Sequence, residues 1–558
     1  MYFLCFSIFV CFYFHFVFYT GITTIIWILI QLFILMEVGV RIVGIVLRVL
    51  NFLLAPLFWL HWRKQDPLRV PPIQNPVLLQ SASELAEAIR SGKLTSEEVV
   101  TTFISRIHEV NPHINAVVQD LMCTAVYRAR EADLLLREVR LRGEIDELIV
   151  TKPLLGVPFT IKESCSLKSM SNSVGCLEHR GRTAREDGRA VQLVTEAGAI
   201  PLLISNTPEL CLGWETTNLL HGATNNPYRL STTPGGSSGG EAALLASGAS
   251  ALSVSSDIAG SIRIPAAYCG VFGHKPTPGI ISIEGHVPTL TDENYPKFLT
   301  VGPMTRYAED LPLLLSVMAG QQAHRLELQR PVAVDRLRIY HMTEATKSIA
   351  LLSVHPAIQQ AVLKATDYLH NKCGATLCAE KFKELEESVE MSVSVFFAMK
   401  DIPNMLQDPL NPKHEKSLLM EIIKYFTGNG SRSLQALGFA LLRSKLLFIP
   451  RRRLAHHRER ARRLRTIMME KLGTDGVLLY PVHNSLAHYH NQVFLRASGV
   501  MYSMLFNVLG FPATVVPMGL HDGLPVAIQV IAAPYQDRLC LAVAKQLEER
   551  FGGWQPIV

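Results

Sequence analysis

Residues 231–248, STTPGGSSGGEAALLASG, set Ser237 and Ser238 between two pairs of glycines. Both serines fit the loose pattern Gly-x-Ser-x-Gly, which often marks a hydroxyl nucleophile. A hydroxyl attacks poorly until a positioned base removes its proton. The nucleophile elbow of an α/β-hydrolase needs a hydrophobic strand running straight into this motif and a helix after it. The helix is present in GEAALLASG, but the preceding NPYRLSTTP carries Pro227 and Pro234 and reads as turn. The glycines permit unusual backbone states and close approach to another group. A flexible or anion-cradling turn fits equally, so alone this loop leaves the reactive group open.

Two further stretches bear on it. Twenty-four residues after Ser237 stands Ser261, in the small-residue loop SSDIAGSIRIPAAYCGVFGHKPTPG (255–279). Seventy-five residues before Ser237 stands Lys162, in LLGVPFTIKES, where it follows strand-forming residues. A lysine serves as base when its amine is neutral, and burial in a low-dielectric site favours the neutral form. These three pieces, in this order, resemble the amidase signature family. The resemblance spans roughly residues 80–558, through NVLGFPATVVPMG and GLPVAIQVIAAP. Within the family the membrane-bound fatty-acid amide hydrolases are most alike, through NPYRLSTTPGGSSGGE, SIRIPAAYCGVFGHKPTPG and DRLCLAVAKQLEERFGGW.

The resemblance implies roles at matching positions. Ser261 is the nucleophile that becomes acylated, Ser237 relays protons after a cis Gly236–Ser237 peptide, and Lys162 is the base. Ser238 is a bystander. The backbone N–H groups of Ile258, Ala259, Gly260 and Ser261 form the oxyanion hole, while Asp257 and Arg263 fix the shape of that loop. Cys211 falls where an acyl channel would be lined, with an ordinary core thiol as the competing reading. One departure stands out: many members carry Gly-Gly before the nucleophile, where this chain has Ala259-Gly260. If the first position needs a positive φ, alanine costs about 1 kcal/mol there. The implied reaction is hydrolysis of long-chain fatty-acid amides to acid and amine, without metal or cofactor and with an alkaline optimum. A general amidase or esterase on small or aryl amides is the alternative, and a silent membrane scaffold or lipid-binding protein another. The resemblance also admits a homodimer and an endomembrane or lipid-droplet address.

These residues must be positioned by an α/β framework, and the rest of the chain supplies one. Ser81 with Glu84 and Thr95 with Glu98 read as capping boxes opening amphipathic helices. From about 150 onward, short apolar runs such as LLGVPFTI, AIPLLIS and SALSVSSDI alternate with Gly-rich turns and helical stretches. GVLLYP, PATVVPMG and LPVAIQVIAAP read as late strands, and DRLCLAVAKQLEERF as a closing helix. The expected fold is α/β, which in this family means an α/β/α architecture with a large mixed central sheet covered by helices. A segment at 433–465 joins an apolar helix to eight arginines between Arg451 and Arg465. It reads either as a solvated helix or as a second membrane contact with arginines on phosphates. His483, His488 and His490 have no carboxylate or thiolate beside them in sequence and read as loop histidines.

Composition bounds the rest. A net charge of +6 on 558 residues gives no dedicated nucleic-acid binder. Ten cysteines without a CxxC pair fit free thiols. Asn429-Gly430-Ser431 is a formal glycosylation sequon. Residues 1–36 contain no Asp, Glu, Lys or Arg, so 1–35 is either a transmembrane leader or upstream sequence read through to Met36. Residues 36–64 form an anchor and 65–79 a Pro-rich linker. Glu37, Arg41, Arg48 and Asn51 make one polar stripe on a helix. Fifteen Val, Leu, Ile and Phe residues between Val38 and Leu60 favour insertion by about 0.3–0.6 kcal/mol each, and the two arginines oppose it by about 2.5–3.5 each. The totals nearly cancel, so the helix either spans the membrane or lies in its interface. Membrane attachment is expected in both cases.

Overall fold

The computed structural model describes residues 45–64, 68–345, 352–407, 415–443 and 451–557. The expected leader (1–35) and the first residues of the anchor (36–44) lie outside the described residues. Thirteen strands are described: β1 (Val117–Asp120), β2 (Pro158–Lys162), β3 (Ile200–Ser205), β4 (Thr217–Asn218), β5 (Gly222–Ala223), β6 (Leu252–Asp257), β7 (Phe272–Lys275), β8 (Thr300–Thr305), β9 (Arg338–His341), β10 (Thr376–Leu377), β11 (Gly476–Pro481), β12 (Ala513–His521) and β13 (Leu524–Ala532). Eleven of them make one mixed sheet in the order β1-β3-β2-β6-β8-β7-β12-β13-β11-β9-β10, while β4 and β5 form a separate ribbon. β2 lies between β3 and β6, parallel to both. β6 then pairs antiparallel with β8.

Every residue of β2, β3, β6, β8, β11 and β13 is buried. Helices cover the sheet, so such strands have no solvated face, which is why they read as continuous apolar runs rather than alternations. β6 breaks that rule. Its sequence LSVSSD puts three serines and an aspartate into the core, a composition that a purely structural strand avoids.

Both capping boxes form. Ser81 Oγ accepts from the Glu84 N–H at 3.0 Å and Glu84 returns the bond at 2.8 Å, opening helix Ala82–Ser91. Thr95 and Glu98 do the same at 3.1 and 2.7 Å, opening Ser96–Ile114.

Helix Ile45–Trp62 is long and apolar enough to cross a membrane, with a mean hydropathy of 1.6 and none of it buried. Its last residue touches the body of the protein: the Trp62 ring lies 5.6 Å from that of His490. In the basic segment, helix Leu434–Arg443 turns its apolar side inward through Ala436, Leu437, Phe439 and Ala440. The exposed apolar row lies one helix earlier, where Leu419, Met420, Ile423 and Phe426 project from Leu418–Phe426. On helix Arg451–Leu472, Arg460 pairs with Glu387 at 2.5 Å and Arg465 Nε donates to the Leu509 carbonyl at 3.0 Å.

Candidate active site

β2 delivers its last residue, Lys162, to a fully buried position. Side chains two apart on a strand share a face, so Lys162 follows Thr160, whose hydroxyl donates to Glu241. Burial pushes the Glu241 carboxyl up to about 7. Lys162 Nζ lies 2.7 Å from Ser237 Oγ, 3.0 Å from Ser256 Oγ and 3.5 Å from the Ser256 carbonyl. Among the described residues no carboxylate forms an ion pair with this amine.

Ser237 is carried by the glycine loop, and the Gly236–Ser237 peptide is cis. Gly236 is required by close approach: a Cβ there would meet the Glu215 nitrogen and the Gly213 carbonyl oxygen, both at 2.8 Å. Backbone on both sides leaves nothing to give way. The loop runs directly into helix Gly239–Ala246, where Gly240 faces Asn206 backbone in the same manner. Thr207 Oγ1 donates to the Ser237 carbonyl at 3.0 Å. Ser238 bridges the two loops through its N–H, which donates to the Ser261 carbonyl at 3.1 Å, and its hydroxyl donates to the Ser256 carbonyl at 3.3 Å.

Ser261 is buried at 3% exposure. Among the described residues its hydroxyl makes no hydrogen bond, with Ser237 or otherwise. The structure therefore joins Lys162 to Ser237 directly, and brings Ser261 beside them through the Ser238 backbone. The loop before Ser261 is shaped by Asp257, whose Oδ1 accepts from the Gly260 N–H at 2.7 Å and Oδ2 from the Ile262 N–H at 3.1 Å. Arg263 Nε and Nη2 reach the same carboxylate at 3.0 and 3.1 Å, and Asn507 Nδ2 adds a bond at 2.9 Å. Burial pushes this carboxyl up, but the Arg263 charge and these bonds outweigh it and hold the group well below the usual carboxylate range. The Gly260 N–H is thereby occupied. The N–H groups of Ile258, Ala259 and Ser261 donate to no acceptor among the described residues. The positive φ of this loop falls at Gly260 (95°), whereas Ala259 is not among the positive-φ residues. Alanine at 259 thus carries none of the conformational cost expected for it.

Cys211 is half-buried with φ 59°, and its Sγ lies 3.5 Å from Thr207 Oγ1. One side chain thus separates it from the loop that carries Ser237. The histidine run packs into the body. His483 Nδ1 sits 2.9 Å from the Tyr268 hydroxyl, and His490 Nδ1 lies 2.7 Å from Glu215, a carboxylate distant in sequence. Burial pushes His488 down to about 4.

Ser256, which touches Lys162, and His286, which touches Ser256, had no role assigned from sequence. Ser256 ends the serine run of β6, and its only signal was that run's polarity in a buried strand. His286 Nε2 lies 2.9 Å from Ser256 Oγ. It arrives from a loop whose return to the site no local pattern announces.

The Amidase family model matches residues 98–541. The chain belongs to the amidase family. It is 39% identical over 528 residues to fatty-acid amide hydrolase 2-A of Danio rerio, covering 92% of this chain and 97% of that protein. To fatty-acid amide hydrolase 2 of Homo sapiens it is 38% identical over 533 residues, 94% and 97% of the two chains. A solved fatty acid amide hydrolase superposes with a TM-score of 0.68 at 22% identity, over 85% of this amidase and 86% of that chain. That last likeness establishes the fold, a large mixed sheet with covering helices. Family and relatives together make this chain an amide hydrolase.

Proposed function

We propose that this amidase hydrolyses long-chain fatty-acid amides at a membrane, through an acyl-enzyme on Ser261 formed by the Lys162–Ser237–Ser261 relay. The observation carrying the reading is the 2.7 Å approach of Lys162 Nζ to Ser237 Oγ at a buried position. A neutral amine there is a base, and Ser237 extends its reach to the neighbouring loop. On substrate binding, rotation of Ser261 about χ1 closes the last contact; catalytic hydrogen bonds often tighten only in the complex.

Ser261 Oγ attacks the amide carbonyl and gives its proton to Ser237, whose own proton passes to Lys162 Nζ. The developing oxyanion is held by the N–H groups of Ile258, Ala259 and Ser261, fixed dipoles that need no reorganisation during the step. Gly260 contributes the turn, its N–H being committed to Asp257. Lys162 then returns its proton through Ser237 to the leaving nitrogen, and the amine departs. Water attacks the acyl-enzyme by the same route, losing a proton to the relay. The proton restores Ser261, and the free acid leaves.

The lipid side of the reading rests on helix Ile45–Trp62, apolar and uncovered, and on the fatty-acid amide hydrolases among the relatives. A substrate dissolved in the bilayer reaches such an enzyme without crossing water. Initial rates on a series of primary amides from acetamide to oleamide test it. The expected result is kcat/KM rising steeply with chain length. A flat profile would make the chain a general amidase or esterase, and absence of any hydrolysis would leave a lipid-binding scaffold.

A further inference from the structure

Ser256 contacts Lys162 and His286 contacts Ser256, and their hydrogen bonds run in one direction only. The chain starts at the Pro288 carbonyl oxygen, which can only accept. The Tyr295 hydroxyl donates to it. His286 Nδ1 lies 3.3 Å from that carbonyl and 3.1 Å from the Tyr295 oxygen. With the Tyr295 proton committed to Pro288, both neighbours of Nδ1 are acceptors, so Nδ1 carries the imidazole proton. His286 is buried, and burial holds its imidazole below the ordinary histidine range. It is therefore neutral, and a neutral imidazole has one proton. Nε2 is then a lone pair, and the Ser256 hydroxyl 2.9 Å away donates to it.

That commitment fixes the next bond. With its proton spent on His286, Ser256 Oγ offers Lys162 only lone pairs, and the Ser256 carbonyl offers the same. Both N–H bonds of a neutral Lys162 amine turn toward Ser256. The amine lone pair is left facing Ser237 Oγ, which is where a base must point it. Resting on the relay proposed above, we infer that His286 is a positioning residue: acting through Ser256, it sets the hydrogen-bond direction that presents the Lys162 lone pair to Ser237. Without an acceptor at Nε2, the Ser256 hydroxyl is free to donate to that lone pair and compete with Ser237. The other titratable groups around His286 do not supply this acceptor. Burial raises the Cys165 thiol and the Tyr295 hydroxyl, so both keep their protons, and Glu163, whose Oε1 accepts from Ser171 and Ser173, makes no hydrogen bond to Ser256 among the described residues. Among the described residues, Ser164 Oγ, 3.4 Å from Ser256 Oγ, is the one other side-chain hydroxyl within hydrogen-bond distance of it apart from its contacts named above.

The test uses the full chain with His286→Leu, His286→Gln, Ser256→Ala and the Leu/Ala double variant, measuring kcat and KM on a long-chain amide. Thermal unfolding reports folding. His286→Leu and Ser256→Ala are each expected to lower kcat by about 10- to 100-fold with KM within about 2-fold. The double variant should be no slower than the slower single, because both remove one device. His286→Gln, whose amide oxygen can accept from Ser256, should recover to within about 3-fold of wild type. A folded His286→Leu at the wild-type kcat, a folded His286→Gln as slow as His286→Leu, or additive losses in the double variant overturns the inference. Should His286→Leu fail to fold, Ser256→Ala decides: wild-type kcat there overturns it. Fluorophosphonate labelling separates this failure from that of the relay. Wild type labelled at Ser261 with unaffected variants removes the His286 role alone; wild type labelled elsewhere removes the relay and this role together.

Discussion

A lysine becomes useful as a base through its surroundings, and here those surroundings are hydroxyls and carbonyls. A buried ion pair, Asp257–Arg263, shapes the loop that carries Ser261. Breaking such a buried pair from one side leaves an uncompensated charge, at a cost of about 3–5 kcal/mol. Asp257→Asn should lose that much, and the loss should depend on pH. A carboxyl whose folded pKa lies below its unfolded value contributes stability above the unfolded value of about 3.9 and loses it as pH falls through the folded value. Denaturant unfolding of both proteins should therefore show a constant gap from pH 8 to about 4 that closes below it. Lys162, Ser237 and Ser261 were marked in sequence because the three stretches that carry them, taken together and in order, resemble the amidase signature family. Ser256 and His286 were not, since only the register of β6 brings Ser256 to the amine and only the return of the 286–288 loop brings His286 to Ser256. The alanine at 259 looked costly until the positive φ proved to fall one residue later.

The elements read well where burial is two-sided. LLGVPFTI, AIPLLIS, GVLLYP and LPVAIQVIAAP all contain strands, and both capping boxes close as their spacing requires. The segment at 433–465 was less legible. An apolar periodicity fixes which residues share a face without saying what covers it, and Leu434–Arg443 turns that face into the protein. The glycine loop could be recognised as permissive, but not as tight. Gly236→Ala tests the tightness directly. Its Cβ would stand 2.8 Å from backbone atoms of Gly213 and Glu215, so the loop must move and Ser237 with it. A displacement of about 1 Å at a reacting group costs on the order of 100-fold in rate. Turnover should fall by at least that much while thermal unfolding remains cooperative, and wild-type turnover would show the loop to be slack.

At the scale of the whole molecule, the fold brings together a strand end near 160, a loop near 237 and a second loop near 261. No continuous stretch of sequence contains the site. The same body receives helix Ile45–Trp62, whose Trp62 packs on His490, and His490 in turn on Glu215 beside the glycine loop. The apolar helix and the candidate site are therefore linked through a short run of packed side chains. The proposed relay requires Ser261 to be the hydroxyl that is acylated. The direct measurement is mass spectrometry of the peptide modified when the full chain reacts with a fluorophosphonate, run beside Ser261→Ala and Lys162→Ala. The adduct should sit on Ser261, vanish in Ser261→Ala and form far more slowly in Lys162→Ala. An adduct on Ser237 or Ser238, or labelling that persists at full rate without Lys162, would contradict the relay.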